Sequence, residues 1–250
     1  MLETLIVGIV SALLIAALSA ALRHRHYIRP AMRCMLFCRN RRLRVSIAAI
    51  LRIRSDNRYV LIRNRYRPEV FGPIGGVYKY YPSAIDQLDK CGFIPQVRDP
   101  DMQNDLRGFL KGKDFPSFMK WFLSGKNREV EPLTRELKEE LQEIGLTEEA
   151  KNTRTFQYEL IKTISEGPDN VPGADYLQFR CFWIFQLLPG DPEGVKLTER
   201  LSREVEHNPD LIAVTAAEIA ARRATSRQVI GSHAGYLIGD ERTGPEEPPF

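Results

Sequence analysis

Residues 135–140 read Arg-Glu-Leu-Lys-Glu-Glu, with Glu143 following, and the reading of this stretch decides the fold. Leu133, Leu137, Leu141 and Ile144 fall at i, i+4, i+8 and i+11 around it, so Glu131–Ile144 is predicted to be an amphipathic helix with one core-facing stripe. Gly145 is the expected terminator, because glycine takes up the left-handed conformation that closes a helix. On that helix Glu136 neighbours Glu139 and Glu140 at i+3 and i+4, and Glu143 continues the same side. Carboxylates on one face repel unless cations neutralise them. Hard oxygen ligands of this kind suit Mg²⁺ or Mn²⁺, which would hold a diphosphate and polarise a water. The competing reading is a solvated face on which Arg135 and Glu139 form an i,i+4 ion pair worth roughly 0.3–0.5 kcal/mol.

Working outward, Arg44–Ile53 is a β-branched run, Ser55-Asp56-Asn57 is turn-forming, and Tyr59–Ile62 is a second short apolar run, which together predict a hairpin. Arg63-Asn64-Arg65-Tyr66-Arg67-Pro68 then leads into Phe71–Val77, where Gly72, Pro73, Gly75 and Gly76 interrupt regular structure. Residues 78–130 read as a long irregular insertion containing a short helix at Phe115–Ser124. Downstream, Thr155–Ile164 and Tyr176–Leu188 are predicted strands separated by a loop at Gly167–Gly173. Leu211–Val214 is a last short strand, and Thr215 with Glu218 is a capping-box signature opening a helix through about Ala224. This succession describes a mixed α/β (α+β) domain with helices packed on a mixed sheet. There is no G-x-G-x-x-G, Walker loop, H-E-x-x-H or G-x-S-x-G, which excludes the commonest dinucleotide, NTPase, zincin and serine-hydrolase readings.

The charge is distributed unevenly. Ten arginines and no Asp or Glu lie between Thr4 and Ser55; with Glu3 counted, residues 1–55 carry +9, which leaves −5 on the rest of a chain whose formal charge is +4. Within that segment Leu5–Leu22 is uncharged, and as a helix it would reach roughly 27 Å, close to a bilayer's hydrocarbon thickness. The flank Met1–Thr4 lacks the positive charge of a signal peptide, and the run shows no polar face beyond Ser11 and Ser19. A single N-terminal transmembrane helix over residues 1–22 is therefore expected. Arginines at 23, 25, 29 and 33 follow at once, so the positive-inside rule places the N-terminus outside and the rest in the cytoplasm. Gly8, Ala12, Ala16 and Ala20 form a small-residue stripe that suits helix self-association, although alanine is common in such helices. Residues 23–43 are expected to be a basic juxtamembrane linker, 44–235 the globular domain, and 236–250 a flexible tail.

The hairpin, the Gly75-Gly76 turn and the R-E-L-K-E-E helix together resemble the Nudix family, whose box is written G-x5-E-x7-R-E-U-x-E-E-x-G-U with U aliphatic. Arg135 matches the arginine that orients a glutamate, and Glu136, Glu139 and Glu140 match the metal-binding and base-type carboxylates. The flanks depart from the pattern. Gly76 lies fifty-nine residues before Arg135 instead of fourteen, an insertion of about 45; Asn127 stands where the first glutamate is expected; and Gly145 comes three residues late. A membrane segment joined to such an insertion-bearing Nudix-like domain is similar to the SMODS-associated Nudix proteins of bacterial CBASS antiphage systems, in which a CD-NTase makes a nucleotide second messenger.

That resemblance implies an inner-membrane effector, single-pass, whose cytoplasmic domain senses a cyclic di- or trinucleotide while the membrane helix, assembled as a homo-oligomer, acts on the bilayer. Neither DNA nor RNA is an expected partner. The alternative is a membrane-tethered, Mg²⁺-dependent Nudix hydrolase of nucleoside diphosphate derivatives, with Glu139 and Glu140 catalytic and Glu136, Glu139 and Glu140 holding Mg²⁺ or Mn²⁺. A scaffold without a ligand is a third reading. Candidate ligand contacts are Arg63, Arg65 and Arg67 for phosphates, Tyr66 and Tyr78, with Tyr80 and Tyr81, for bases, and the Gly75-Gly76 turn; the alternative is that the arginines face solvent and the tyrosines pack the rim.

Overall fold

The computed structural model describes residues 25–225 and 228–244. The expected membrane span, residues 1–22, lies outside the described residues, and among the described residues no helix is long and apolar enough to cross a membrane.

Helix α1 (Arg25–Phe37) occupies most of the expected linker. Tyr27, Ala31, Cys34 and Cys38 recur at helical spacing and turn inward, and Tyr27 and Cys34 join the core. The helix is pinned by Trp183, whose Nε1 donates to the Tyr27 hydroxyl at 2.8 Å, and by Ser165, whose hydroxyl donates to the His26 carbonyl at 2.8 Å.

Strand β1 (Arg42–Arg52) organises the rest of the chain. Its middle, Ala48–Leu51, is buried on both faces, and along that stretch both of its edges are taken by strands other than Tyr59–Ile62. The hairpin expected between Arg44–Ile53 and Tyr59–Ile62 therefore does not form as such. The chain turns at Ile53 into β2 (Arg54–Ser55), and β2 is what pairs with β3 (Arg58–Asn64), around Asp56 at φ 51°. Strand β3 sits in a different sheet from β1. Strands β4 (Arg67–Gly72) and β5 (Ile74–Val77) come next, and β5 returns to pair antiparallel with Ala48–Leu51.

The insertion is ordered. It supplies helix α2 (Ile85–Lys90), strands β6 (Ile94–Pro95) and β7 (Arg107–Lys111), and helix α3 (Phe115–Leu123), the last close to its expected position. Strand β7 takes the edge of β1 ahead of β5, pairing Arg42–Ser46. Two- and five-residue strands without sustained alternation leave little periodic signal, which is why this region reads as irregular in sequence.

Helix α4 (Pro132–Glu143) ends at Gly145, φ 83°, and buries Leu133, Leu137 and Leu141 as the leucine spacing required. It is followed by α5 (Thr147–Lys151) and by strands β8 (Tyr158–Asn170) and β9 (Leu177–Leu187). Strand β8 continues through part of the expected Gly167–Gly173 loop by shifting register between Glu166 and Asp169. Strand β9 lies parallel to β1 along Leu43–Arg52. Helix α6 (Pro192–Glu204) was not anticipated; Asp191 caps it and Leu197 and Leu201 anchor it. Strand β10 (Leu211–Thr215), helix α7 (Ala216–Ala221), strand β11 (Val229–Ile230) and helix α8 (Gly235–Ile238) complete the chain. Tyr236 and Leu237 are buried, so the folded unit runs past the expected boundary at 235.

One sheet thus has the order β6-β7-β1-β9-β8 with β5 beside β1, and the other the order β10-β3-β4-β11 with β2 beside β3. A single hydrophobic cluster draws on both sheets and on α1, α3 and α4.

The capping box is present as expected. The Thr215 hydroxyl accepts from the Glu218 amide at 3.2 Å, and the Glu218 carboxylate accepts from the Thr215 amide at 2.8 Å. That amide bond, with the Thr225 hydroxyl behind it, holds the Glu218 carboxyl down to about 2. Thr215→Ala is expected to cost about 1 kcal/mol in urea unfolding. Because the folded-state pKa is depressed, the stability Glu218 contributes is present above its ordinary 4.5 and lost as pH falls toward 2. Glu218→Gln should flatten that part of the profile, read as unfolding midpoints against pH.

Candidate functional site

Arg135 is the centre of the site. Its Nε donates to Glu129 Oε1 at 2.7 Å, its Nη2 to Glu129 Oε2 at 3.0 Å and to the Val77 carbonyl at 3.0 Å, and its Nη1 to Glu136 Oε1 at 2.6 Å. One guanidinium therefore joins α4 to the end of β5 and to the segment before the helix. Burial alone would lower its pKa, but the hydrogen bonds and charges of Glu129 and Glu136 outweigh it and hold the proton more firmly than usual.

Glu129 is the acid that sequence reasoning missed, because the box spacing points to position 127. Asn127 instead sits at φ 59° and donates to the Ser83 carbonyl at 3.3 Å. Glu129, two residues closer to the arginine, is the acid that pairs with it, and its Oε2 also accepts from the Lys79 amide at 2.9 Å. Behind it Arg128 is buried, with its Nε on the Phe122 carbonyl at 2.6 Å and its guanidinium 4.0 Å from the Phe122 ring centroid. A spacing search that let the connecting loop shorten would have found this acid.

The two glycines act differently from each other. Gly75 has φ 146°, and a Cβ there would stand 2.2 Å from the Ala49 carbonyl oxygen, so its bareness is a condition for pairing β5 to β1. At Gly76 a Cβ would meet Glu136 Oε1 at 2.1 Å, so the Glu136 carboxylate lies directly on bare backbone. The Gly75 amide bonds the Glu140 carboxylate. Burial raises the Glu136 carboxyl to about 7, against the opposing pull of Arg135, and raises Glu140 well above the usual range with Glu136 adding to the effect. Glu140 Oε2 is buried with no hydrogen-bond partner.

Two desolvated carboxylates one helical turn apart, one with an orphaned oxygen, fit a hard divalent cation in donor chemistry. Glu136 and Glu140 are the residues that would hold it; when bound it would neutralise the pair and polarise a diphosphate. Glu139, the third expected ligand, is 53% exposed and leans to Arg135 Nη1 at 3.5 Å. Among the described residues no three or more His, Cys, Asp or Glu side chains converge as a metal site. Beside Glu139 an open cleft of about 770 Å³ is lined by Tyr81, Glu129, Thr134, Arg135, Lys138 and others.

The remaining candidates divide. Tyr78 is fully buried, edge-on to Phe122 and Trp183, and has no face to offer a base; its assignment as a ligand contact is corrected. Tyr80 is likewise buried, at 8% exposure. Arg63 is occupied structurally: its Nη atoms donate to the Pro68 and Pro209 carbonyls at 2.8 and 2.7 Å, and its Nε faces Asp210 at 2.7 Å. Arg65 and Tyr66 stand exposed at the β3–β4 tip, where Asn64 accepts the Tyr66 and Arg67 amides and shapes the turn. Arg65 bridges Asp101 of the insertion at 2.7 Å and Glu143 of α4 at 3.5 Å, bringing the hairpin tip against the box helix.

Paired sheets with packed helices, and a carboxylate helix locked by its arginine onto a glycine turn, fit a Nudix-like α+β fold. The chain belongs to the SMODS-associated NUDIX domain family, whose model matches residues 42–238. No curated protein and no solved structure matches the chain.

Glu129→Gln should leave Arg135 without a full countercharge and cost about 2–3 kcal/mol of stability, measured by urea denaturation. Gly75→Ala should cost about 3 kcal/mol, since it strains backbone and breaks the β1–β5 approach. Gly76→Ala should fold but displace the Glu136 carboxylate, seen as a changed Glu136 pKa by carbon-detected NMR.

Proposed function

We propose that this protein is a membrane-anchored effector of a bacterial cyclic-oligonucleotide (CBASS) antiviral defence system, its NUDIX domain binding a cyclic di- or trinucleotide and the Leu5–Leu22 segment acting on the inner membrane. The observation that carries this reading is the family match over residues 42–238, since a SMODS-associated NUDIX domain suggests a CBASS-associated effector domain. Two features support it. The exposed face of α1 bears Ile28, Met32, Met35 and Leu36 at helical spacing, interleaved with Arg29 and Arg33, a composition suited to lying at an anionic lipid surface immediately after an apolar run. The Arg65–Tyr66 tip touches both the insertion and the box helix, so a ligand gripped there would bear on three segments at once. For signalling, the nucleotide must bind the assembled state more tightly than the resting one.

The second reading, an Mg²⁺-dependent Nudix hydrolase of nucleoside diphosphate derivatives tethered to the membrane, draws on the paired Glu136 and Glu140 carboxylates over the glycine turn. Titrating the full-length chain in detergent with cyclic di- and trinucleotides, while assaying the same mixtures for Mg²⁺-dependent products, separates the two. Tight binding without turnover is expected. Turnover abolished by Glu139→Gln and Glu140→Gln would establish the hydrolase, and neither response would leave a scaffold. The full chain is the right material, because a protein starting at residue 44 would lack α1 and Leu43, both part of the core.

A further inference from the structure

Helix α1 carries three rows of side chains. Tyr27, Ala31, Cys34 and Cys38 turn into the core. Ile28, Met32 and Leu36 make a second row at i, i+4 and i+8 with Met35 beside them, and all four are exposed, from 41% at Ile28 to 68% at Leu36. Arg29, Arg33 and Phe37 make the third row next to it, and Phe37 is 80% exposed. The side of the helix turned away from the domain is therefore a seam between an apolar row and a basic one. Single hydrophobic residues on a surface need no explanation, but five within ten residues of one helix form a patch.

Three observations bear on what covers it. No Asp or Glu lies between Thr4 and Ser55, so a second copy of α1 would set arginine against arginine, whereas an anionic surface complements Arg29, Arg33 and the exposed Arg39. Arg33 does reach Asp169 of β8 at 2.9 Å, but both side chains are more than half exposed, and such pairs contribute little. The uncharged run Leu5–Leu22 ends three residues before α1 begins, which puts the helix next to a stretch suited to hydrocarbon. Nor can α1 roll over to bury the patch against the domain, because the Trp183–Tyr27 and Ser165–His26 bonds fix its opposite face. A methionine-bearing apolar row edged by arginines, whose stems can lie on apolar material while their heads stay in a polar layer, suits the headgroup region of a bilayer.

We propose that the outward face of α1 is a lipid-binding surface: the helix lies flat on an anionic bilayer, with Ile28, Met32, Met35, Leu36 and Phe37 at the acyl boundary and Arg29, Arg33 and Arg39 on headgroup phosphates. Helix α1 is then the layer between domain and membrane, and the β8–β9 side of the first sheet faces the lipid. Resting on the membrane-acting reading above, this contact adds which surface of the folded domain meets lipid and which headgroup charge it selects; it does not require that Leu5–Leu22 cross the bilayer.

The test puts a nitroxide label at Leu36→Cys, or at Val195→Cys on the exposed side of α6 as a control, in a Cys38→Ser background; Cys34, Cys91 and Cys181 are buried. The full-length chain is reconstituted with phosphatidylcholine vesicles, with and without phosphatidylglycerol, and the label's collisions with oxygen and with a water-soluble nickel chelate are compared. In phosphatidylglycerol the Leu36 label should be shielded from nickel roughly fivefold better than the Val195 label. High salt, or Arg29→Gln together with Arg33→Gln, should remove most of that shielding. Met32→Glu with Leu36→Glu changes only exposed side chains, so the melting temperature in detergent should hold while the stabilisation that phosphatidylglycerol gives the wild type disappears. A Leu36 label as open to nickel in phosphatidylglycerol as the Val195 label overturns the proposal. So does one shielded equally without phosphatidylglycerol, since something other than anionic lipid would then cover the face. Alkaline carbonate extraction of membranes carrying the chain separates this contact from the anchor. A chain that resists extraction with an open Leu36 label keeps the anchor and loses the lipid surface. A chain that is extracted, yet shields the label on phosphatidylglycerol vesicles, keeps the lipid surface and loses the anchor.

Discussion

The Arg135 guanidinium is the contact on which the arrangement of the site depends. Its bonds of 3.0 Å or shorter go to two carboxylates and one backbone carbonyl, contributed by three separate segments: Glu129 before α4, Glu136 on α4, and Val77 at the end of β5. The planar fork fixes not only distances but the rotation of the helix about its axis. With that rotation set, the leucine stripe meets the core and Glu136 and Glu140 come to lie over the glycine turn. A lysine at 135 would keep the charge and lose the orientation.

The second constraint is the crowding of β1. The strand is buried on both faces in its middle, and its edges are occupied by β9 on one side and by β7 then β5 on the other. This succession makes an insertion in the middle of the motif tolerable: the extra residues do not bulge away from the domain but extend the sheet alongside β1. It also sets Arg107 of the insertion in register with Ser46 of β1, which Arg180 of β9 flanks on the other edge.

Much of the framework was legible in sequence wherever the signal was local and periodic. The leucine spacing of α4, the stop at Gly145 and the Thr215–Glu218 box each depend on residues within one or two turns, and each stands where it was expected. What was not legible depends on partners distant along the chain. Nothing within Arg44–Ile53 says that its edges are already taken, so its pairing with Tyr59–Ile62 was the natural local inference and a wrong one. Glu129 escaped because a loop shortened by two residues defeats a fixed spacing while leaving the ion pair intact. Tyr78 reads as a stacking surface until its packing against Phe122 and Trp183 is known. Arg44, Arg107 and Arg180 are neighbours only through strand register, which no motif records. In α1 the density of arginines concealed the inward stripe of Tyr27, Ala31, Cys34 and Cys38.

That stripe has a mechanical side. Residues 25–37 are not slack cord between an N-terminal apolar run and the domain; they are a strut fastened at Tyr27, His26 and Cys34 to β8, β9 and the core. A flexible leash would absorb any rearrangement of the domain, whereas a clamped helix has little compliance. A tilt of the sheet beneath it would be delivered as a tilt of the helix along its whole length, where a leash would pass on only a change in reach.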